Sequence, residues 1–451
     1  MNYSRSVGLP EPSGLKSVEG FPCAEEVAHG QLFALSLSNR TNGLTHGMHR
    51  FPAKFIPQIP RWAIEQYSSP GHTVLDPFCG SGTTLVEATA TNRVGLGYDV
   101  DPLSVMISSA KTTVLDPVRL RGLSEILLAY RPSVDGLYDT ILSGIRNFQR
   151  WFPSQTICHL NGVCRTIESL DCTPAERVWF RTVFSSIIRW VSNADDQTQK
   201  TYISGTSQKT PPSVDYTLRR ALTRAAAGMS TLATEADKRF AARSAVGSAI
   251  SLPPSTASVE LIVTSPPYLD SVDYMYNCML EYFWLGRTLG LSARSDFNAL
   301  RRAQIGSKNP EHSSELPLVL RGLVNVHEIP SYRQSAVLNY FSMMAEHFAE
   351  ARRVLRKDGT YVLVIGNSQT EGGVVPVHDC LIRLAHEAGL IMHKAFAYRI
   401  RRHYMKFPRK GRGGIILMDW VVVLKAATGQ SEIPGRLPMP IVTIAPHDVA
   451  H

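Results

Sequence analysis

No run of eighteen apolar residues occurs anywhere in the chain, so the sequence offers no membrane-spanning segment. Met1 to Lys16 lack the apolar core of a secretion signal, and a cytoplasmic location is the expectation. Cysteine is sparse: Cys23, Cys79, Cys158, Cys164, Cys172, Cys278 and Cys380 include no C-x-x-C pair. Cys158, Cys164 and Cys172 are separated by five and then seven residues, a spacing that suits no common zinc ligand set, so no metal is expected. The thiols read as reduced and mostly buried. Acid is short relative to base, 38 Asp and Glu against 47 Lys and Arg. That excess favours a polyanionic partner through phosphate contacts, although many soluble enzymes are equally basic. A hydrophobic content of 44% excludes disorder as the chain's general state.

The 451 residues suffice for one large or two to three ordinary domains. Residues 1–45, rich in Ser, Gly and Pro, read as a loosely attached N-terminal arm. A compact block starts near His46. His72 to Asp76 reads as a buried strand, Gly80-Ser-Gly82 as a sharp turn, Thr83 to Thr91 as a helix and Val94 to Asp99 as a second buried strand. This βαβ unit implies a parallel sheet. Residues 115–245 break the pattern, with helices expected over Leu137–Phe152, Pro174–Val191 and Asp215–Ala233. The sheet resumes at Val259–Val263. A long amphipathic helix carries Leu338, Phe341, Ala345, Phe348 and Leu355 and is expected to end at Gly359. Tyr361–Ile365 is the next strand, 394–400 and 416–425 a closing antiparallel pair, and 426–451 an irregular tail.

The sharpest local signal is Asp76-Pro-Phe-Cys-Gly-Ser-Gly-Thr-Thr84. Two glycines let the backbone approach a ligand, and the following helix N-terminus offers free N–H groups. A dinucleotide fingerprint would need a third glycine where Leu85 stands, and no Gly-Lys-Ser/Thr completes a phosphate-binding loop. Asp99 ends the next strand, where a carboxylate can accept from both ribose hydroxyls. Capping a helix at Pro102 is its bland alternative, a job Asp101 could equally do. The second signal is Leu261-Ile-Val-Thr-Ser-Pro-Pro-Tyr268. Neither proline has an N–H, so the strand stops there, at the carboxyl edge where doubly wound sheets bind ligands. Ser265 Oγ and the Ser265 and Pro266 carbonyls can then converge on one point, with the Tyr268 ring beside them. Acceptors of this kind suit an exocyclic amine, whose delocalised lone pair must be aimed at a methyl donor. The base that carries it must be flipped from the duplex and stacked on an aromatic ring.

Both motifs resemble those of the DNA amino-methyltransferases. Asp-Pro-Phe-x-Gly-Ser-Gly-Thr is similar to the family's S-adenosylmethionine motif, and Thr-Ser-Pro-Pro-Tyr to the motif of its cytosine-N4 branch. Adenine-N6 enzymes usually carry Asp or Asn where Ser265 stands. The resemblance implies the Rossmann-like doubly wound, mostly parallel α/β sheet of class I methyltransferases, here with a helical insert. It also implies that Asp76, Phe78, Gly80, Gly82 and Thr83 line the methionine end of the cofactor and that Ser265, Pro266, Pro267 and Tyr268 are catalytic. His49-Arg-Phe-Pro-Ala-Lys-Phe55 looks like the family's additional cofactor motif, which adds Phe51, Pro52, Ala53 and Lys54. Ordinary core packing competes for Phe51 and Phe55. In Gly247-Ser-Ala249 a serine stands where many relatives carry an acid beside the adenine ring, and Ser248 can still accept a hydrogen bond there.

The chain thus divides into the arm 1–45, a cofactor-binding half 46–114, the insert 115–245, a catalytic half 246–425 and the tail 426–451. Placing the cofactor turn first and the catalytic motif after a long insert makes 115–245 the candidate target-recognition region. A helical cap or dimer element is the alternative. Tyr398 to Gly413 holds Arg399, Arg401, Arg402, Lys406, Arg409, Lys410 and Arg412 with no acid. Beside the strand ends it would grip phosphates of double-stranded DNA; elsewhere it is a solvated charge run. Arg301, Arg302 and Lys308 form a second patch. A carbon-5 cytosine enzyme would need a nucleophilic thiol, and Cys278 reads as a buried one instead. The expected activity is sequence-specific cytosine-N4 methylation of DNA, with a restriction endonuclease as possible companion. Adenine-N6 methylation and a catalytically silent DNA-binding subunit are the alternatives.

Overall fold

The computed structural model describes residues 16–19, 21, 23–36, 43–51, 56–136, 147–196, 200–205, 209–269, 273–307, 315–366, 368–370, 373–399 and 418–427. Its strands are β1 (Lys16–Glu19), β2 (Gln31–Ser36), β3 (Thr73–Asp76), β4 (Val94–Asp99), β5 (Arg243–Val246), β6 (Val259–Thr264), β7 (Leu355–Gly366), β8 (Ser368–Thr370), β9 (Gly373–Val375), β10 (Leu390–Arg399) and β11 (Met418–Ala426). Among the described residues, nine of them form one sheet in the order β1-β2-β10-β11-β7-β6-β3-β4-β5, and β8 with β9 makes a separate hairpin. Every neighbouring pair in the large sheet is parallel except the two that β11 makes, with β10 and β7. This is the expected Rossmann-like, doubly wound arrangement.

The central strands are apolar on both faces, as parallel strands covered by helices must be. Leu75, Ile262, Leu363 and Val422 pack into one cluster, with α11 (Ser331–Val354) and α12 (Val377–Glu387). Their chain neighbours Val74, Leu261, Val263, Val364 and Val421 pack into another, with α1 (Gln58–Tyr67). The period of two along each strand therefore sorts residues between opposite layers.

The insert is helical: α4 (Pro117–Leu128), α5 (Ser154–Ser169), α6 (Pro174–Ile188) and α7 (Val214–Glu235). It is no separate lobe. Leu120, Trp179, Phe184 and Leu222 share one core with Leu103 and Ile107 of α3 (Pro102–Thr112), Val86 of α2 (Thr83–Ala90), and the helices after the second motif. Those are α8 (Tyr274–Asn277), α9 (Met279–Leu285) and α10 (Arg294–Ala303). Thr173 starts α6 with a reciprocal cap to Glu176.

Four expectations are revised. The segment 1–45 contributes β1 and β2 to the sheet edge beyond β10, rather than hanging as a loose arm. No helix spans Leu137–Phe152 among the described residues; Phe148–Arg150 is a single tight turn and the helix starts after Pro153, because proline opens a helix more readily than it continues one. Gly359 lies inside β7, five residues past the end of α11, and its role is close packing: a Cβ there would stand 2.6 Å from Leu355 Cγ. The insert boundary at 245 cuts β5, which belongs to the sheet. The tail beyond Ala427 lies outside the described residues.

Candidate active site

β3 and β6 are neighbours, with Val74 opposite Leu261 and Leu75 opposite Ile262. From this pair the chain winds outward both ways, through β4 and β5 on one side and β7, β11 and β10 on the other. Such a reversal leaves a crevice beyond the carboxyl ends of the strands. The glycine turn leaves the end of β3 and the proline pair leaves the end of β6. They share one cavity of about 610 Å³. Its wall includes Phe51, Phe78, Gly80, Ser81, Thr83, Asp99 and Ser248 from the cofactor segments, and Ser265, Pro267 and Tyr268 from the second motif.

The turn is shaped by backbone hydrogen bonds. Gly80 and Gly82 have φ of 46° and 77°, in the region glycine adopts without strain. The Gly80 N–H donates to Asp99 Oδ2 and the Asp101 N–H to Asp99 Oδ1, each at 2.9 Å. Each oxygen keeps a lone pair for a ligand hydroxyl. Burial, and then the nearby Asp101 charge, hold the Asp99 carboxyl well above the usual range. Asp101 does the capping, accepting from the Leu103 N–H at 2.7 Å and the Ser104 N–H at 3.2 Å. The fully buried Lys111 donates from Nζ to the Ser81 carbonyl at 2.9 Å, pinning the turn from behind.

Three expected site residues stand behind the wall rather than on it. Asp76 is 1% exposed, accepts from the Phe78 N–H and takes the Thr264 hydroxyl at 2.6 Å, so it ties the two strand ends together. Burial pushes its carboxyl up to about 6. Gly82 faces α3, where a Cβ would stand 2.5 Å from Ser108 Oγ. Pro266 is buried. Phe51 lies over the turn, 3.4 Å from where a Gly80 Cβ would be. Pro52, Ala53 and Lys54 lie outside the described residues. Ser248 accepts weakly from the Ile250 N–H at 3.4 Å, and Gly247 is crowded by the Tyr98 ring at 3.0 Å.

On the second motif, the Tyr268 hydroxyl donates to Asp419 Oδ1 at 3.0 Å, and Tyr398 donates to the other oxygen at 2.9 Å. Asp419 escaped the sequence reading. Its signal was there: a lone acid in the otherwise apolar run Met418-Asp-Trp-Val-Val-Val423. Lys200, from the insert, also reaches the cavity wall. So do Arg301 and Arg302, joined by residues 303–307 after α10. Arg301 pairs with Asp273 through Nε at 2.9 Å and lies over the Tyr276 ring. Cys278 is buried, its thiol pushed well up by that burial, which is the opposite of an activated nucleophile. Arg399 ends β10; Arg401, Arg402, Lys406, Arg409, Lys410, Arg412 and Lys308 lie outside the described residues.

Comparison with known proteins agrees with this geometry. The family described as DNA methylase, of the N6 and N4 class, matches residues 9–109. The type II methyltransferase M.MvaI of Kocuria varians is 25% identical over 409 residues, covering 83% of this chain and 86% of the relative. The type II methyltransferase M.MjaII of Methanocaldococcus jannaschii is 35% identical over 94 residues, 21% of this chain and 17% of the relative. A SAM-dependent methyltransferase structure from Methanosarcina mazei superposes with a TM-score of 0.30 at 9% identity, over 81% of this chain and 96% of that one, too loosely to add to the strand order. By its glycine turn, its sheet and its relatives, the chain is a kin of the S-adenosylmethionine-dependent DNA amino-methyltransferases.

Proposed function

We propose that the protein transfers a methyl group from S-adenosylmethionine to the exocyclic N4 of cytosine within a specific sequence of double-stranded DNA. The observation that carries this reading is the single cavity holding both the Asp99-braced glycine turn and Ser265-Pro-Pro-Tyr268. The residues fit the cofactor: a buried acid with free lone pairs for ribose hydroxyls, an open glycine turn, and the Phe51 and Phe78 rings as apolar wall. When bound, S-adenosylmethionine supplies an activated methyl, so the protein's task is positioning. Ser265 Oγ accepts from the amine N–H, and Tyr268 offers its ring to the extruded base. By the resemblance, serine before Pro-Pro-Tyr goes with cytosine; adenine N6 is the competing target.

Arg301 and Arg302, on the same wall, hold phosphates flanking the flipped base, with the basic run 399–413 as second grip. The insert's outer surface reads the sequence. The type II designation of the relatives supports a modification role beside a restriction endonuclease, in the cytoplasm. The test is nucleoside mass spectrometry and methylation-aware sequencing of DNA from cells expressing the protein or Ser265→Ala. N4-methylcytosine at one site with the native chain, absent with the variant, is expected. N6-methyladenine would move the target to adenine. DNA binding without cofactor uptake would make the chain a silent subunit.

A further inference from the structure

We propose that Asp419 ends a hydrogen-bonded relay, Ser265 to Tyr268 to Asp419, which holds the Tyr268 ring and carries the surplus amine proton out of the cavity; this rests on the base-methylating reading above. Three contacts make the chain. The Ser265 hydroxyl bonds the Tyr268 oxygen. The Tyr268 hydroxyl donates to Asp419 Oδ1 at 3.0 Å. The Tyr398 hydroxyl donates to Oδ2 at 2.9 Å and fixes the carboxylate from β10. The donors point one way, from the reaction cavity toward the acid.

Asp419 is 7% exposed, and among the described residues no cation pairs with it. A buried acid without a cation is costly unless something uses it. The groups facing it are Tyr398 from β10, with Arg399 one register position further, and Tyr268 from the loop after β6, with Tyr274 beyond. β7 places only Gly366 opposite. Burial lifts its carboxyl to about 6 against the pull of the two tyrosine hydroxyls, which suits a proton acceptor working near neutrality.

The protons balance. The amine lone pair forms the N–C bond as the C–S bond breaks and its electron pair stays on sulfur. The amine then carries one proton too many. It gives that proton to Ser265 Oγ, Ser265 gives its own to the Tyr268 oxygen, and Tyr268 gives its own to Asp419. A neutral methylated base, a thioether and a neutral Asp419 remain, and the acid returns its proton to water between turnovers. Asp419 is thus a positioning residue that acts through Tyr268.

The experiment is single-turnover methyl transfer by the full-length protein against pH, at saturating cofactor, on a duplex carrying its methylation site. Asp419→Asn should slow transfer about 100-fold and abolish the acid limb near pH 6, with KM for DNA within about threefold. Tyr268→Phe, which keeps the ring, should lose the same limb. Tyr398→Phe should keep the limb and move it upward, because a donor to the charged acid is gone. Fluorescence of a base analogue at the target should show extrusion intact in all three. An unchanged profile in Asp419→Asn, or loss of extrusion in step with rate, overturns the relay. Should Asp419→Asn not fold, the two tyrosine profiles decide alone: an intact limb in Tyr268→Phe, or an unmoved one in Tyr398→Phe, overturns it. No transfer to DNA by the native protein removes the underlying reading, whereas an active native enzyme with a normal Asp419→Asn removes only the relay.

Discussion

Replacing Gly82 by alanine tests whether the cofactor turn is built as described. Two independent penalties meet there. The residue has φ of 77°, where an L side chain costs roughly 1–2 kcal/mol. A Cβ would also stand 2.5 Å from Ser108 Oγ and 3.0 Å from Ser108 Cα and Cβ, so α2 must move off α3. Overpacking of this kind costs about 1–3 kcal/mol. Gly82→Ala should therefore lose roughly 2–5 kcal/mol, a large share of a stability of about 5–15 kcal/mol, and shift Ser81 and Thr83 on the cavity wall. Urea unfolding followed by circular dichroism reads the first effect, and cofactor titration the second. Gly82→Ala with Ser108→Gly should recover the steric part and leave the φ part, so the cycle separates the two. Gly122→Ala is the control: it lies mid-helix in α4 with nothing within 4 Å, and should gain up to about 1 kcal/mol. A Gly82→Ala loss below about 1 kcal/mol, or no rescue by the double variant, would refute the packing of turn on helix.

Asp99→Ala should weaken S-adenosylmethionine binding at least about tenfold by calorimetry, since two hydrogen bonds to a charged group are lost. Native affinity should rise with pH as this lifted carboxyl ionises; a flat profile would contradict ribose binding by Asp99. His347 is neutral and buried, between the Ala249 carbonyl and the Tyr361 hydroxyl, with its pKa lowered to about 4 from 6.5. The unfolded chain takes up that proton first, so the contribution, about 3 kcal/mol, is complete above pH 6.5 and lost as pH falls toward 4. Asp76 and Asp419, lifted to about 6, act in the opposite sense, so the measurement is a difference. His347→Gln should destabilise most at pH 7 and least at pH 4, and a gap that is constant with pH would refute it. Arg301→Ala should lower the salt dependence of DNA binding by about one counterion, and an unchanged slope would confine Arg301 to its pair with Asp273.

Much of the site was legible because its chemistry is local. Gly80, Gly82 and the proline pair announce their backbone conformations within a few residues, and each conformation fixes where a strand ends. Asp99 and Asp101 could be told apart only in part, as either carboxylate could have capped α3. The structure divides the roles by register: Asp99 ends β4 and meets the Gly80 N–H, while Asp101 is two residues nearer the helix. What stayed hidden depends on partners far along the chain. Asp76 reads as a cofactor ligand until Thr264, 188 residues away, is seen to take its oxygen. Lys111 and Asp419 are likewise defined by contacts across 30 and 151 residues. β1 and β2 were missed because four and six residues give too short an alternation to recognise.

The long-range contacts also explain how an insert can separate the two motifs without loosening the site. It leaves the sheet after α3 and returns as β5, which packs on α3 and pairs with β4. Its two ends are thus anchored side by side, and a longer loop there costs little additional closure entropy. The motifs themselves are joined directly, by the Asp76 to Thr264 bond and by the Thr84 hydroxyl on the Val263 carbonyl at 3.2 Å. The inner faces of α4, α6 and α7 are committed to the shared core through Leu120, Trp179, Phe184 and Leu222. Variation that tunes recognition must therefore fall on the outer faces and loops, where sequence can change while the cavity at the β3–β6 edge keeps its shape.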